Sequence, residues 1–318
     1  VKVYTSTDAV PADLGVTAVA IGKFDGVHVG HRALLARLRD VARDRGLAPV
    51  AVTFDRNPLS LLKPEVAPVP LVSNEQKLEL LAAEGMSATL MLAFDAAFSA
   101  QSPAEFVDRV LVDALHAREV LVGSDFRFGA HGAGTVDSLA VFGRSRGFAV
   151  ELVDDVESSA AGSSSRRASS TWIRELMDAG DVRDAAGLLG RHPRIRSLVV
   201  HGAHRGRELG YPTANLAPTA MEGFIPADGV YAAWLSVDGR RLPAAVSVGN
   251  NPTFEGVPEK QVEAHVLDET LDLYDRRVEL EFVERIRPMM RFADVDALID
   301  RMADDEARVR AVLGLDPA

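Results

Sequence analysis

A short apolar run that breaks into glycines and then resumes as a helix restricts this chain more than any other stretch. Within VAIGKFDGVHVGHRALL, the run Val19 to Ile21 meets a turn carrying Gly22, Gly26 and Gly30, and a helical pattern opens near His31. Strand, glycine turn and helix in that order gather unpaired N–H groups and the positive end of a helix dipole at one point, a seat for phosphate. Glycine lets the backbone come close to it. His28 and His31 lie three apart across the turn, so both imidazoles can face one phosphate and donate hydrogen bonds to its oxygens. Without a ligand the same pair is two solvated histidines of a surface turn. No G-K-[ST] follows the glycines and G-x-G-x-x-G is absent, which excludes the Walker A loop and the dinucleotide fingerprint.

The following helix, HRALLARLRDVARDRG, sets Leu34, Leu38 and Val41 on one face and stops at Gly46. Leu47 to Phe54 then reads as a strand, completing a βαβ unit with a right-handed crossover. Ser73 with Gln76, and Ser102 with Pro103 and Glu105, are capping signals for the helices SNEQKLELLAAEG and SPAEFVDRVLVDAL. Apolar runs at Ala88 to Phe94 and Glu119 to Gly123 alternate with these, followed by a helix near Val136 to Arg146 and a strand near Phe148 to Val153. The alternation predicts an open parallel sheet covered on both faces.

Ligands of such sheets bind beyond the carboxyl ends of the strands, where GKFDGVHVGH, TFDRNP and GSDFRFG all fall. In the last of these, Asp125 can hydrogen-bond a ligand and Phe126 or Phe128 can contact a flat ring; alternatively the phenylalanines are core and Asp125 caps a turn. ESSAAGSSS, Glu157 to Ser165, reads as a polar low-complexity loop. In RRASSTWIRELMDAG, Ser170 and Thr171 cap the next helix, or offer hydroxyls and N–H groups to phosphate with charge from Arg167 or Arg174. Both roles can hold at once.

At 318 residues, 47% hydrophobic and 25% charged, the chain has room for two ordinary globular domains. The texture changes accordingly from about Arg194, after a linking helix in DVRDAAGLLG. RSLVVHG, GVYAAWLSVDG, LPAAVSVGN, QVEAHVLD and RRVELEFVERIR are short alternating strands, and Asp238-Gly239 signals a hairpin. Strands in succession without helices between them predict a compact antiparallel barrel. A final helix is expected from about Asp294 to Leu313, with Leu298, Met302, Val309 and Val312 on its buried side. HGAHRGRELGYPTANL places Gly202, Gly206 and Gly210 four apart, leaving room for a phosphate, and Pro212 holds the loop to a defined course. Thr213 and Asn215 then offer hard oxygen donors of the kind Mg²⁺ accepts beside ATP oxygens, unless Asn215 bonds its own backbone in a barrel turn. Glu263 alternates with Val262 and Val266; facing a pocket it can deprotonate a hydroxyl that attacks a γ-phosphate, and facing outwards it is a solvated charge.

No cysteine occurs, so disulfides, thiolate zinc sites and cysteine catalysis are excluded, as in a reducing compartment. The histidines, His201 and His204 included, form no metal cluster with a thiolate or carboxylate nearby. A net charge of −11 argues against nucleic acid or an acidic membrane as partner. No apolar run reaches membrane-spanning length and the N-terminus lacks a leader pattern. The expected setting is the cytoplasm. A homo-oligomer is compatible with this composition, though no stretch marks an interface.

H-x-G-H followed by S-S-T-x-x-R resembles the two signatures of nucleotidyltransferases, in their order. Over nearly its whole length the chain is similar to the bifunctional prokaryotic riboflavin kinase/FAD synthetases. The likeness is carried by GKFDGVHVGH, GSDFRFG, SSTWIRE, GRELGYPTANL, SVGNNPTF, VEAHVLD, DLYD and the Arg287 to Phe292 segment. It implies a Rossmann-like FMN adenylyltransferase domain over residues 1–186 and a riboflavin kinase β-barrel with a terminal helix over 187–318. By the same likeness, the barrel phosphorylates riboflavin with MgATP, with Glu263 as base, Thr213 and Asn215 at the metal, and Gly202, Gly206, Gly210 and Pro212 around the phosphates. The first domain adenylylates FMN to FAD with a second ATP and releases pyrophosphate, with His28 and His31 stabilising the transition state. Gly22, Phe24, Asp25, Gly30, Arg167, Ser170, Thr171 and Arg174 would hold that nucleotide, and Asn57, Asp125, Phe126, Phe128, Arg287 and Phe292 the flavins. Ala203 stands where the family often has aspartate, Ser197 and Asp275 where it has glycine, and Arg56-Asn57 where it has proline-histidine. Two other readings compete: a riboflavin kinase whose first domain is inactive or takes another substrate, and a protein that binds flavin or nucleotide without turnover.

Overall fold

The computed structural model describes residues 1–158, 165–201, 211–249, 260–269 and 271–316. Its internal contacts divide the chain into two units, Val1–Ser158 with Ser165–Ser169, and Ser170 onward.

The first unit runs β1 (Lys2–Tyr4), β2 (Thr17–Ile21), α1 (Val29–Arg45), β3 (Ala48–Phe54), α2 (Leu59–Leu62), α3 (Asn74–Ala83), β4 (Ala88–Leu92), α4 (Ala96–Ser99), α5 (Pro103–Phe106), β5 (Ala117–Gly123), α6 (Val136–Arg146), β6 (Ala149–Val153), β7 (Glu157–Ser158) and β8 (Arg166–Arg167). The first six strands form one sheet in the order β1-β4-β3-β2-β5-β6, and all its pairings are parallel. Parallel strands bury both faces, which is why β2 and β4 are buried at every position. Leu35, Leu38 and Val41 of α1 pack with Leu80 and Leu81 of α3 and with Ala18, Ala20 and Ala51 of the sheet. Val19, Val52, Leu90 and Val120 face the other way, against Phe106, Val110 and Leu111.

Local signals are realised closely. Gly46 takes the left-handed conformation that ends α1, and Ser73–Gln76 and Ser102–Glu105 form reciprocal capping boxes. Two expectations need correction, and one strand was not foreseen. The helix begun at Pro103 continues through Val107–Ala114 as a π-helix. The N-terminal segment supplies the edge strand β1, whose three residues are too few to show a period. Part of the expected polar loop is not loop, because Glu157 and Ser158 pair with Arg167 and Arg166; residues 159–164 lie outside the described residues.

The second unit comprises α7 (Ser170–Ala179), α8 (Val182–Leu189), β9 (Arg194–Val200), β10 (Ala214–Leu216), β11 (Gly229–Val237), β12 (Arg240–Val248), β13 (Val262–Val266), β14 (Arg277–Arg287) and, last, α9 (Val295–Leu313). The strands close a barrel in the order β10-β13-β12-β11-β14-β9, antiparallel throughout. Closure leaves no open edge to pair with another chain. Asp238 and Gly239, with φ of 49° and 77°, make the two-residue turn between β11 and β12. The segment expected only as a constrained loop contains β10, a strand too short to announce itself by alternation. Asp294 caps α9 by accepting from the Ala297 N–H at 2.8 Å. Val309 is buried, whereas Leu298, Met302 and Val312 are half-buried; Asp305 and Arg310 are buried deeper than these three. The inward face of α9 is therefore partly ionic. Asp305 meets Arg287 at 2.7 Å, and Arg310 pairs with Asp268 and Glu306.

Candidate active sites

In the parallel sheet β2 sits between β3 and β5, the chain having moved first to one side and then to the other. That reversal makes a crevice at the carboxyl end of β2, the position where open α/β sheets take their ligands. The glycine turn leaves β2 there. Phe24 and Val27 both have positive φ, 48° and 39°, and a β-branched residue held so stores strain of order 1–3 kcal/mol. A side chain on Gly22 would come within 3.1–3.3 Å of the Phe24 ring, so the turn needs glycine where that ring folds back.

His28 caps α1, its Nδ1 accepting from the His31 N–H at 3.4 Å. The two imidazoles stack with centroids 3.7 Å apart, and the Phe24 ring meets His31 edge-on at 5.2 Å. Gly30 lies against the pair, since a Cβ there would be 3.1 Å from His28 Cε1. His31 Nδ1 is buried with no hydrogen-bond partner, a polar atom left unsatisfied in this structure. Burial is the main reason its pKa lies well below the ordinary value; the adjacent His28 imidazole and the positive charges of Lys23 and Arg167 push the same way. The site thus combines a helix N-terminus, a neutral imidazole and positive charge, as an incoming polyphosphate requires.

The neighbouring residues divide by role. Phe24 is fully buried, so its ring supports the turn from within. Asp25 accepts from the Leu71 N–H at 2.8 Å, and Asn57 Oδ1 from the Leu59 N–H at 3.0 Å; both shape backbone. Arg167 pairs with Asp125 and Asp155, each at 3.1 Å, which ties the turn after β5 to β8. Phe128 is buried and Phe126 stacks on it at 5.5 Å. The aromatic contact then passes through Phe106 to Phe98, Phe94 and Phe54. Sequence reading missed that apolar wall, and it missed Lys77, a buried lysine whose Nζ donates to the Phe54 carbonyl at 2.6 Å. A lysine on the apolar face of a helix was the available signal. Ser170, Thr171 and Arg174 lie at the start of α7 in the second unit; Thr171 is exposed and the other two half-buried.

A second constellation forms on the barrel. β13 buries Val262, Ala264 and Val266, so the half-buried Glu263 and His265 share the opposite face. Glu263 stands in register with Asn215 on one side and Ser247 on the other. Thr213 donates from Oγ1 to Glu263 Oε2 at 3.3 Å, and Asn215 Nδ2 donates to the Thr213 carbonyl at 3.5 Å. Asn215 therefore does bond the neighbouring backbone, the alternative raised by the sequence, but through its nitrogen, so that its amide oxygen is not used in that bond. A carboxylate, a hydroxyl and an amide oxygen are thus assembled within one patch. Gly202, Gly206 and Gly210 lie outside the described residues, as do Ala203 and most of SVGNNPTF. Arg287 binds Asp305 through Nε and Nη2, with its guanidinium 5.6 Å from the centre of the Phe292 ring. Its first role is to fasten α9 to β14.

Comparison with known proteins follows the same division. Residues 10–167 match the FAD synthetase family model and residues 189–313 the riboflavin kinase model. A bifunctional riboflavin kinase/FMN adenylyltransferase of Pseudomonas fluorescens is 39% identical over 292 residues, covering 92% of this chain and 91% of that protein. The protein of that name from Escherichia coli K12 is 36% identical over 298 residues, 93% of each chain. A crystal structure described as a macrolide-efflux protein from Streptococcus pneumoniae has a TM-score of 0.81 and 29% identity, over 97% of this chain and 98% of that one. No helix among the described residues is long and apolar enough to cross a membrane.

Proposed function

The chain belongs to the bifunctional riboflavin kinase/FMN adenylyltransferase family, and from that premise we propose how its residues divide the work. It is an enzyme that converts riboflavin to FMN and FMN to FAD. The observation that carries this is the end-to-end match of both family models within one chain. The efflux name of the similar crystal structure is not carried over, because that likeness spans the same two halves that the flavin-enzyme models match.

We assign the kinase step to residues 187–318. The terminal hydroxyl of the riboflavin side chain attacks the γ-phosphorus of ATP, Glu263 takes the hydroxyl proton, and ADP leaves. The donor set fits Mg²⁺: Thr213 and Asn215 supply hard oxygens, and no group of three or more His, Asp or Glu among the described residues could hold a metal alone. Nucleotide oxygens and water would therefore complete the ion's shell. When bound, Mg²⁺ offsets the negative charge of the β- and γ-phosphates. Gly202, Gly206, Gly210 and Pro212 would line the phosphates, and Phe292, backed by Arg287, the flavin.

We assign adenylyl transfer to residues 1–186. An oxygen of the FMN phosphate attacks the α-phosphorus of a second ATP and pyrophosphate leaves. His28 and His31 donate hydrogen bonds to the developing charge, the turn from Gly22 to Gly30 seats the phosphates, and Arg167, Ser170, Thr171 and Arg174 hold the leaving group. Asn57, Asp125, Phe126 and Phe128 lie on the flavin side, the phenyl groups offering the apolar wall and Asp125 a polar edge. The protein works in the cytoplasm on these small molecules and needs neither nucleic acid nor membrane.

The test is incubation with riboflavin, Mg²⁺ and ATP, with flavins resolved by chromatography and ADP and pyrophosphate assayed. Both FMN and FAD are expected, with one ADP per phosphorylation and one pyrophosphate per FAD. FMN alone would mean an inactive first domain, and no product would mean a binding protein.

A further inference from the structure

We propose that His265 is a positioning residue of the kinase site, holding the Pro212 carbonyl so that Thr213 meets Glu263 at the distance the reaction needs. The proposal rests on the assignment of riboflavin phosphorylation to the barrel. β10 pairs with β13 only through Ala214 and Asn215, opposite Ala264 and Glu263. Before Ala214 the chain departs from the ladder, because Pro212 has no N–H to give. The Pro212 carbonyl would then be left without a ladder donor beside a half-buried patch. His265 supplies one, with Nδ1 2.9 Å from that oxygen. A carbonyl only accepts, so Nδ1 carries the proton and donates. The Tyr211 ring meets the imidazole edge-on at 5.3 Å, so one histidine grips the chain on both sides of the Tyr211–Pro212 peptide.

The consequence falls on Thr213. It is bracketed by Pro212, held by His265, and by Ala214 and Asn215, held in the ladder. Its backbone is thereby fixed, and only rotation about χ1 is left to move its hydroxyl, 3.3 Å from Glu263 Oε2. Glu263 and His265 sit two apart on one strand face, so the same β13 backbone fixes the proposed base and the clamp on its partner. Misplacing such a group by about 1 Å costs on the order of 10²-fold in rate.

The two amide substitutions separate positioning from simple packing, since the Nδ2 of asparagine falls where Nδ1 of histidine lies, whereas the nitrogen of glutamine falls near Nε2. His265→Asn is expected to retain kinase kcat within threefold. His265→Gln is expected to lose at least tenfold in kcat and raise the KM for MgATP at least fivefold, with the riboflavin KM changing less than twofold. Both should form FAD from supplied FMN at the wild-type rate. Equal activity in the two variants would overturn the proposal, whether both are fully active or both are lost with a lowered melting temperature. Glu263→Gln run beside them tests the underlying assignment separately: if it keeps full kinase activity, the barrel reading fails whatever His265 does. If it is inactive while His265→Gln is normal, only the clamp fails.

Discussion

The imidazoles of His28 and His31 stack 3.7 Å apart, with their planes 23° from parallel. Burial holds the His31 pKa well below 6.5, and the closeness of the second ring, of Lys23 and of Arg167 adds to it. A bound polyphosphate reverses the balance, because negative charge within a few ångströms favours the imidazolium. The sign follows: in the window just below about pH 6.5, between the lowered value and the value with ligand, ATP binding takes up a proton. Titration calorimetry in buffers of different ionisation enthalpy should show that uptake, and His31→Asn should remove it. Proton release, or no buffer dependence in the wild type, would contradict the arrangement.

Lys77 stands behind the same site. Its Nζ donates to the Phe54 carbonyl at 2.6 Å, and the carboxylates of Asp25 and Asp55 act on it strongly enough to oppose the burial that lowers its pKa. Those carboxylates in turn accept from the backbone N–H groups of Leu71 and Phe94, each at 2.8 Å. Lys77→Met removes one positive charge from beside Asp25 and Asp55, the latter keeping its ion pair with Arg56 at 2.9 Å, and takes the Nζ donor from the Phe54 carbonyl. A loss of about 1–3 kcal/mol is expected in the unfolding transition of the first unit, read by urea denaturation, with riboflavin phosphorylation unchanged in the folded protein.

In the second unit the corresponding anchor is Arg287 with Asp305, at 2.7 Å and with side chains 9% and 5% exposed. Breaking a buried pair from one side strands the other charge. Asp305→Ala should cost about 3–5 kcal/mol and loosen α9, measurable as a lowered melting temperature and faster amide exchange in residues 295–313. Unchanged exchange there would show that the apolar contacts of α9 and the Arg310–Asp268 pair hold it without the Arg287 anchor.

Much of this was legible in the residues. The sheet could be read because β2 and β3 are continuous apolar runs and α1 carries its own stop at Gly46; the hairpin could be read from Asp238-Gly239. The His28–His31 stack was foreshadowed by a spacing of three over a helix start. What escaped was long-range: β1 and β10 are too short to show a period, and the π-helical stretch after Phe106 differs from an α-helix in hydrogen bonding rather than in composition. The polar residues that matter through burial were also hidden. Asp305 looks like an ordinary surface charge until Arg287 is brought to it, Lys77 showed only as a lysine on the apolar face of its helix, and the facing of Glu263 had to wait for its register with Asn215.

The most direct test of two independent reactions in one chain is a pair of variants in one chromatographic assay. His28→Ala, given riboflavin and MgATP, should form FMN at the wild-type rate and be reduced about 10²–10³-fold in FAD. Glu263→Gln should form almost no FMN from riboflavin, yet convert supplied FMN to FAD normally. If either substitution stops both reactions in a folded protein, the division of labour between the two halves is wrong.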